Sequence, residues 1–373
     1  KISMSNNQRM LNCLRGGINI YYQLQPEPEW VVYFPNRGES ELSLVDLNRP
    51  EHPREISETS VNTSMMSVGE SHIYYATFVE READMRHWIY DISRGTNQEI
   101  YPCQEAIRCL QITLSPDGQW LSYYKPELLN GQHRDDYSFV LYDISNDVET
   151  IIATDVRIQT YELSLTHLFS HWLTDSRLAF MYYKSSSGYI FKFYDLKDIA
   201  ILEDVSLTFP ANIQPFILYD DMETQYVIDQ LVYRQSTNLQ LYDMESQTYI
   251  QLPQIVHSDS DTNFIRTGYQ IMDWLPDDDV ILVLETWADL TSDSSDSGQL
   301  HIVQYNLQIM EADLIVEDVQ GDIHGLDFNV DGSKILMSFS PVREYTQLIS
   351  VYDVATGEEM VLPITGSYPQ WVD

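Results

Sequence analysis

Asp327, Asn329 and Asp331, followed by Gly332, stand at alternate positions in the order that opens a calcium loop. In such a loop alternate oxygens converge on a hard cation, and the glycine permits the sharp turn. No Glu follows where a bidentate carboxylate would complete the set, and Asp, Asn and Gly also form turns unaided by bonding their own backbone. Calcium held by Asp327, Asn329 and Asp331 is one expectation for this segment, and a metal-free hairpin turn is the other. Further acidic runs, Asp289 to Asp296 and Asp259 with Asp261, read first as solvated loops. His167 and His171 lie four apart in or beside a predicted strand, where they share a face and point into packing. Nucleophile elbows of the G-x-S-x-G type and glycine-rich phosphate loops are absent. Carboxylates are too many for any pair to nominate a glycosidase. The patterns name no catalytic residue, and no cofactor beyond the calcium candidate.

What must position these residues is legible in a phrase used seven times: an aromatic or branched residue, then Asp or Asn, then an aliphatic one. It reads Val45-Asp46-Leu47, Tyr90-Asp91-Ile92, Tyr142-Asp143-Ile144, Tyr194-Asp195-Leu196, Tyr242-Asp243-Met244, Tyr305-Asn306-Leu307 and Tyr352-Asp353-Val354. Asp46 and Asp353 are 307 residues apart over six steps, about 51 per step, at the long end of propeller-blade periods. One whole unit runs through strand Leu110 to Leu114, turn Ser115-Pro116-Asp117-Gly118, strand Trp120 to Tyr124, a polar excursion, strand Tyr137 to Ile144 and a short strand Thr150 to Ala153. Gly in such a turn accepts the positive φ of a tight hairpin. Gly325 to Leu362 repeats the order, with Asn329-Val330-Asp331-Gly332 as its turn. Alternation rich in Tyr, Ile, Val and Phe, without a sustained helical period, predicts strands and almost no helix. The expected fold is all-β: a single seven-bladed β-propeller of four-stranded antiparallel blades over residues 1–373, with blades at 18–56, 65–100, 110–153, 168–202, 212–252, 271–316 and 325–362.

The ends need separate treatment. Segment 5–14 looks like a fourth strand without a third, and segment 367–372 like a first strand without a second. Propellers commonly close by completing a blade from both termini, so the two segments are expected to meet at the seam. They extend a ring of seven or build part of an eighth blade. Strand pairing with a second copy is a further route for such ends.

Two stretches carry a family resemblance. ITLSPDGQWLSYY (112–124) with FVLYDIS (139–145), and LDFNVDGSKILMSFS (326–340) with ISVYDVATGEE (349–359), resemble the repeat of the TolB-like propellers, also called WD-like β-propeller repeats. The other units match in outline. The family's Trp at the end of the first strand stands here as Trp172 and Trp274, gives way to Leu114 and Phe328, and returns as Trp371. The resemblance implies a propeller, often extracytoplasmic, that binds partners rather than catalysing.

Twenty-one basic against 57 acidic residues give a formal net charge of −36, which repels phosphate backbones and anionic lipid and excludes nucleic acid as a partner. No apolar run approaches the roughly 20 residues of a membrane-spanning helix. Cys103 and Cys109 can be bridged if their Cα atoms come within about 7 Å. That leaves Cys13 over, and three reduced thiols are the equal alternative. In a propeller the connections from second to third strand and from blade to blade share one side, and the Asp-Gly hairpins the other. The long connections are Lys125 to Asp136, Thr286 to Gln299, Asp155 to Thr166 and Gln254 to Gly268, so binding is expected on their face or at the channel mouth. The expected function is a non-catalytic binding or assembly module of the cell envelope or extracellular space that presents acidic loops to a protein, peptide or glycan. A lyase or glycoside-acting enzyme with a metal on the loop face is the alternative, and a subunit of a larger assembly joined by its terminal strands is the third reading.

Overall fold

The computed structural model describes residues 8–12, 19–23, 28–35, 41–57, 62–78, 85–103, 109–129, 132–157, 169–184, 188–196, 200–202, 213–219, 225–231, 240–243, 248–252, 264–275, 280–289, 298–317, 319, 322–329, 331–341 and 346–372. Among the described residues there are strands and turns but no helix. The strands form four-membered antiparallel sets, numbered here in chain order. Sheet one is Ser367–Val372, Trp30–Phe34, Ser43–Asp46 and Arg54–Glu55; sheet two is Asn62–Val68, His72–Phe78, Met85–Asp91 and Thr96–Ile100. Sheet three is Leu110–Leu114, Trp120–Leu129, Gln132–Asp143 and Val148–Arg157; sheet four is Phe169–Thr174, Arg177–Lys184, Gly188–Asp195 and Ala200–Leu202. Sheet five is Ile213–Tyr219, Gln225–Leu231, Gln240–Asp243 and Thr248–Gln251. Sheet six is Phe264–Leu275, Val280–Asp289, Gly298–Asn306 and Glu311–Val316; sheet seven is Asp322–Phe328, Lys334–Ser340, Leu348–Asp353 and Glu359–Thr365. One further pairing, Arg157 with Tyr183, ties sheet three to sheet four.

Sheets stacked face to face explain why inner strands read as unbroken apolar runs. Val31 to Tyr33 and Ile335 to Met337 are buried on both faces of their sheets, whereas the outermost strand Glu359–Thr365 buries only Leu362 and Ile364. The cores lie between neighbouring sheets. Val31 and Trp371 pack with Leu336 and Val351 between sheets seven and one, and Val32 and Leu44 with Ile73 and Tyr75 between one and two. Tyr74 and Ile89 meet Leu121 and Val140 between two and three; Tyr124 and Phe139 meet Leu178 and Phe180 between three and four. Leu282 and Ile302 meet Leu326 and Ile335 between six and seven. First strands lie side by side from sheet six through seven, one, two and three to four.

The seam corrects the expectation from sequence. The first blade is expected over 18–56, but Asn19–Gln23 pairs with Gln8–Asn12 in a separate two-stranded sheet. Ser367–Val372 takes the first-strand place instead, with Val31 opposite Trp371 and Val32 opposite Gln370. Among the described residues the terminal segments therefore do not pair with each other. Both are short aromatic-bearing stretches, NIYYQ and SYPQWV, so each satisfies a strand slot in sequence, and partner choice is a tertiary matter. Two connections expected as loops also differ. Trp120–Leu129 and Gln132–Asp143 continue as a ladder to Leu129 opposite Gln132, and Val280–Asp289 and Gly298–Asn306 continue to Ala288 opposite Gly298. Backbone pairing needs no apolar side chains, which is why polar residues there concealed it. The cysteine question is settled by proximity: Cys103 and Cys109 are bridged, with Cα atoms 6.1 Å apart, and Cys13 lies outside the described residues.

Candidate functional site

Asp327, Asn329 and Asp331 each have a defined place. Asn329 and Asp331 form the same turn as Ser115 and Asp117. Lys334 N donates to Asn329 Oδ1 at 2.8 Å as Trp120 N donates to Ser115 Oγ at 2.9 Å. Ser333 N donates to Asp331 Oδ1 at 3.0 Å as Gln119 N donates to Asp117 Oδ1 at 3.0 Å. The Ser333 hydroxyl holds the Asp331 carboxyl below its ordinary range. Asp327 is turned away to the seam, where its Oδ2 accepts from Trp371 N at 2.6 Å. The oxygens of this trio thus meet backbone and side-chain donors of the fold, and among the described residues no group of three His, Cys, Asp or Glu gathers as a metal site. His171 sits in Phe169–Thr174 opposite Ala179; His167, Asp259, Asp261 and residues 290–296 lie outside the described residues.

The repeated phrase divides its labour between its first two residues. Its acidic or amide side chain caps the following turn: Asp91 Oδ1 accepts from Arg94 N at 2.9 Å, Asp143 Oδ1 from Asn146 N at 2.9 Å, Asn306 Oδ1 from Ile309 N at 3.1 Å and Asp353 Oδ1 from Thr356 N at 2.8 Å. Ser93 lowers the pKa of Asp91 and Thr356 that of Asp353 by such bonds. Its tyrosine reaches the preceding sheet. Tyr90 Oη accepts from Arg54 Nη1 at 3.2 Å, Tyr142 Oη accepts from Tyr101 N at 3.2 Å, and Tyr352 Oη donates to the Ile315 carbonyl at 2.7 Å. Tyr305 departs from the pattern and donates to Glu285 Oε1 of its own sheet at 2.5 Å, with Trp287 Nε1 3.0 Å from Oε2.

A cavity of about 280 Å³ opens where the first strands of sheets one to four converge, at the end of the disc that carries the first hairpins. Its described lining is Ser67, Val68, Gly69 and Glu70 of sheet two, Thr113, Leu114 and Pro116 of sheet three, Trp172 of sheet four and Trp371 of sheet one. Bonds between first strands set this mouth. Leu114 N donates to Ser67 Oγ at 2.9 Å, Glu70 N to the Pro116 carbonyl at 2.9 Å, and Trp172 Nε1 to the Thr113 carbonyl at 3.4 Å. Gly69 is required by close approach, since a Cβ there would stand 2.8 Å from the Ser115 and Pro116 carbonyl oxygens. Glu70 is exposed and is the one ionisable side chain of the described lining. Aromatic walls, hydroxyls and one carboxylate can hold a ligand and orient it.

The two described cavities lie at this hairpin end, whereas the sequence pointed to the opposite face; most of the expected loops there, 158–166, 254–263 and 290–297, fall outside the described residues. Trp172 and Trp371 were visible in sequence as the Trp that ends a first strand. Glu70 and Ser67 were not, because an exposed turn carboxylate and a strand serine carry no pattern.

No protein-family model matches the chain, and no curated protein matches its sequence. Solved structures do match in shape. The periplasmic gluconolactonase of Pseudomonas aeruginosa aligns at 10% identity and a TM-score of 0.55 over 93% of this chain and 99% of that one. An oligogalacturonate lyase in complex with manganese aligns at 10% identity and 0.53 over 90% and 84%. TolB from Acinetobacter baumannii aligns at 12% identity and 0.46; the chain spans 66% of that protein, with 92% of its own length covered. The shape matches to the gluconolactonase and the lyase show the fold, a β-propeller, and at 10% identity they leave the activity to the site itself.

Proposed function

We propose that this chain is a non-catalytic β-propeller binding module, a ring of seven sheets closed by Ser367–Val372, that takes a protein segment in the mouth of its channel at the hairpin end. The lining carries the reading: Trp172 and Trp371 come from two sheets to one cavity with Ser67, Thr113 and Glu70. Aromatic area with a few orienting polar groups is the composition of a recognition pocket. An extracytoplasmic setting is supported by the Cys103–Cys109 bridge, because disulfides persist in oxidising compartments.

Peptides selected from a random display library on the full chain should lose at least about tenfold in affinity on Glu70→Trp, which fills the mouth from an exposed position. Selected peptides indifferent to Glu70→Trp would remove the mouth as the site. Two structural neighbours are a gluconolactonase and an oligogalacturonate lyase, so the chain should also be assayed on gluconolactone and on oligogalacturonate with manganese. No turnover is expected, and turnover would overturn the non-catalytic reading.

A further inference from the structure

Beside the channel mouth a groove of about 530 Å³ runs between sheets one and two, lined by Trp30, Arg54, Ile92, Arg94, Gly95 and Val372 among others, with Glu70 shared between groove and mouth. It is less acidic than the chain as a whole, its described lining carrying two arginines and one carboxylate, Glu70. Where acidic residues outnumber basic ones 57 to 21, two arginines from different sheets border one depression. Arg54 is held in place: its guanidinium carbon lies 5.4 Å from the Trp30 ring centroid, and Nη1 donates to Tyr90 Oη at 3.2 Å. Gly95, at a φ of 65°, closes the turn beside it. Stacking on one face and a bond at one edge fix the planar fork and leave further N–H donors for a ligand. Arg94 enters from the adjoining turn, 80% exposed, with Nε 3.4 Å from Asp91 Oδ2.

We propose that this groove recognises an acidic protein segment, a Glu or Asp carboxylate seating on the Arg54 fork with Arg94 as second cation and the neighbouring apolar side chain lying on Ile92 and Val372. A bidentate Arg–carboxylate pair is charge-assisted and directional, and a guanidinium already immobilised loses little freedom on binding. Glu70 and Asp91 border the site, which favours a singly charged carboxylate over a doubly charged phosphate. The inference extends the reading of the hairpin end as a binding surface and rests on it.

The test is titration of the full chain with acetyl-Leu-Glu-Leu-Glu-Leu-Glu-amide and with its counterpart carrying Gln for Glu. The Glu peptide should bind with a dissociation constant below about 1 mM and the Gln peptide about tenfold more weakly or worse. Arg54→Lys, which keeps the charge and removes the fork, should cost about tenfold, and Arg94→Gln about threefold at an unchanged thermal midpoint. If Arg54→Lys lowers the midpoint, Arg94→Gln at its exposed position decides. Equal binding of the two peptides, no binding of either, or indifference to Arg94→Gln overturns the groove. Loss with Glu70→Trp but with neither arginine variant overturns the groove and leaves the channel mouth standing.

Discussion

Arg54 Nη1 of sheet one donates to Tyr90 Oη of sheet two across 3.2 Å, and Tyr90 is the tyrosine of a repeated phrase. The bond turns a local repeat into an attachment between sheets. Tyr142 and Tyr352 make the same kind of reach with backbone partners.

Removing one such hydroxyl should loosen one junction. Tyr90→Phe, Tyr142→Phe and Tyr352→Phe are each expected to cost about 1 kcal/mol in denaturant unfolding. Tyr305→Phe should cost more, about 2 kcal/mol, because it withdraws a donor from the fully buried Glu285 carboxylate. Equal losses at all four positions would contradict this ranking.

Acid should destabilise the chain through His87. This ring is buried, its Nδ1 is 2.8 Å from Tyr74 Oη, and desolvation lowers its pKa to about 4. The unfolded state, titrating near 6.5, binds a proton that the folded state refuses, so stability is full above pH 6.5 and falls as pH drops from there toward 4. The loss approaches about 3 kcal/mol. His87→Gln should flatten the difference in unfolding midpoint between pH 7 and pH 5; an unchanged slope would exclude His87 as its source.

Asn329 acts as a turn cap, so calcium should leave the thermal midpoint where it is. Asn329→Ala should cost about 1 kcal/mol, as Lys334 N loses its acceptor. A midpoint that rises with calcium and no longer does so in Asp331→Asn would restore the calcium loop at Asp327, Asn329 and Asp331.

Closure rests on a strand from the far end of the sequence. Trp371→Ala, in the core shared by sheets seven and one, should cost about 3–5 kcal/mol. A loss under about 1 kcal/mol, the level of a surface change, would mean that Ser367–Val372 does not complete sheet one.

The strands and their order were legible because each hairpin announces itself locally. Ser115-Pro116-Asp117-Gly118 places Gly118 at a φ of 70°, where a side chain would strike His72, and the Asp of each phrase marks the next turn. The seam was not legible, since Asn19–Gln23 and Ser367–Val372 are both short aromatic-bearing stretches and only long-range packing chooses between them. Half of the site was visible in Trp172 and Trp371. Trp30, Arg54, Arg94 and Glu70 were hidden because they come from separate turns and sheets and meet only when the disc closes.

Hydrogen exchange on the full chain with a display-selected peptide bound tests the central claim, recognition at the hairpin end, most directly. Slowed exchange is predicted at the turn amides of residues 69–71 and 117–119, which border the mouth lined by Trp172 and Trp371. Protection confined to the opposite end, at 127–129, 132–136, 286–289 and 298–299, with the hairpin turns unchanged, would contradict it.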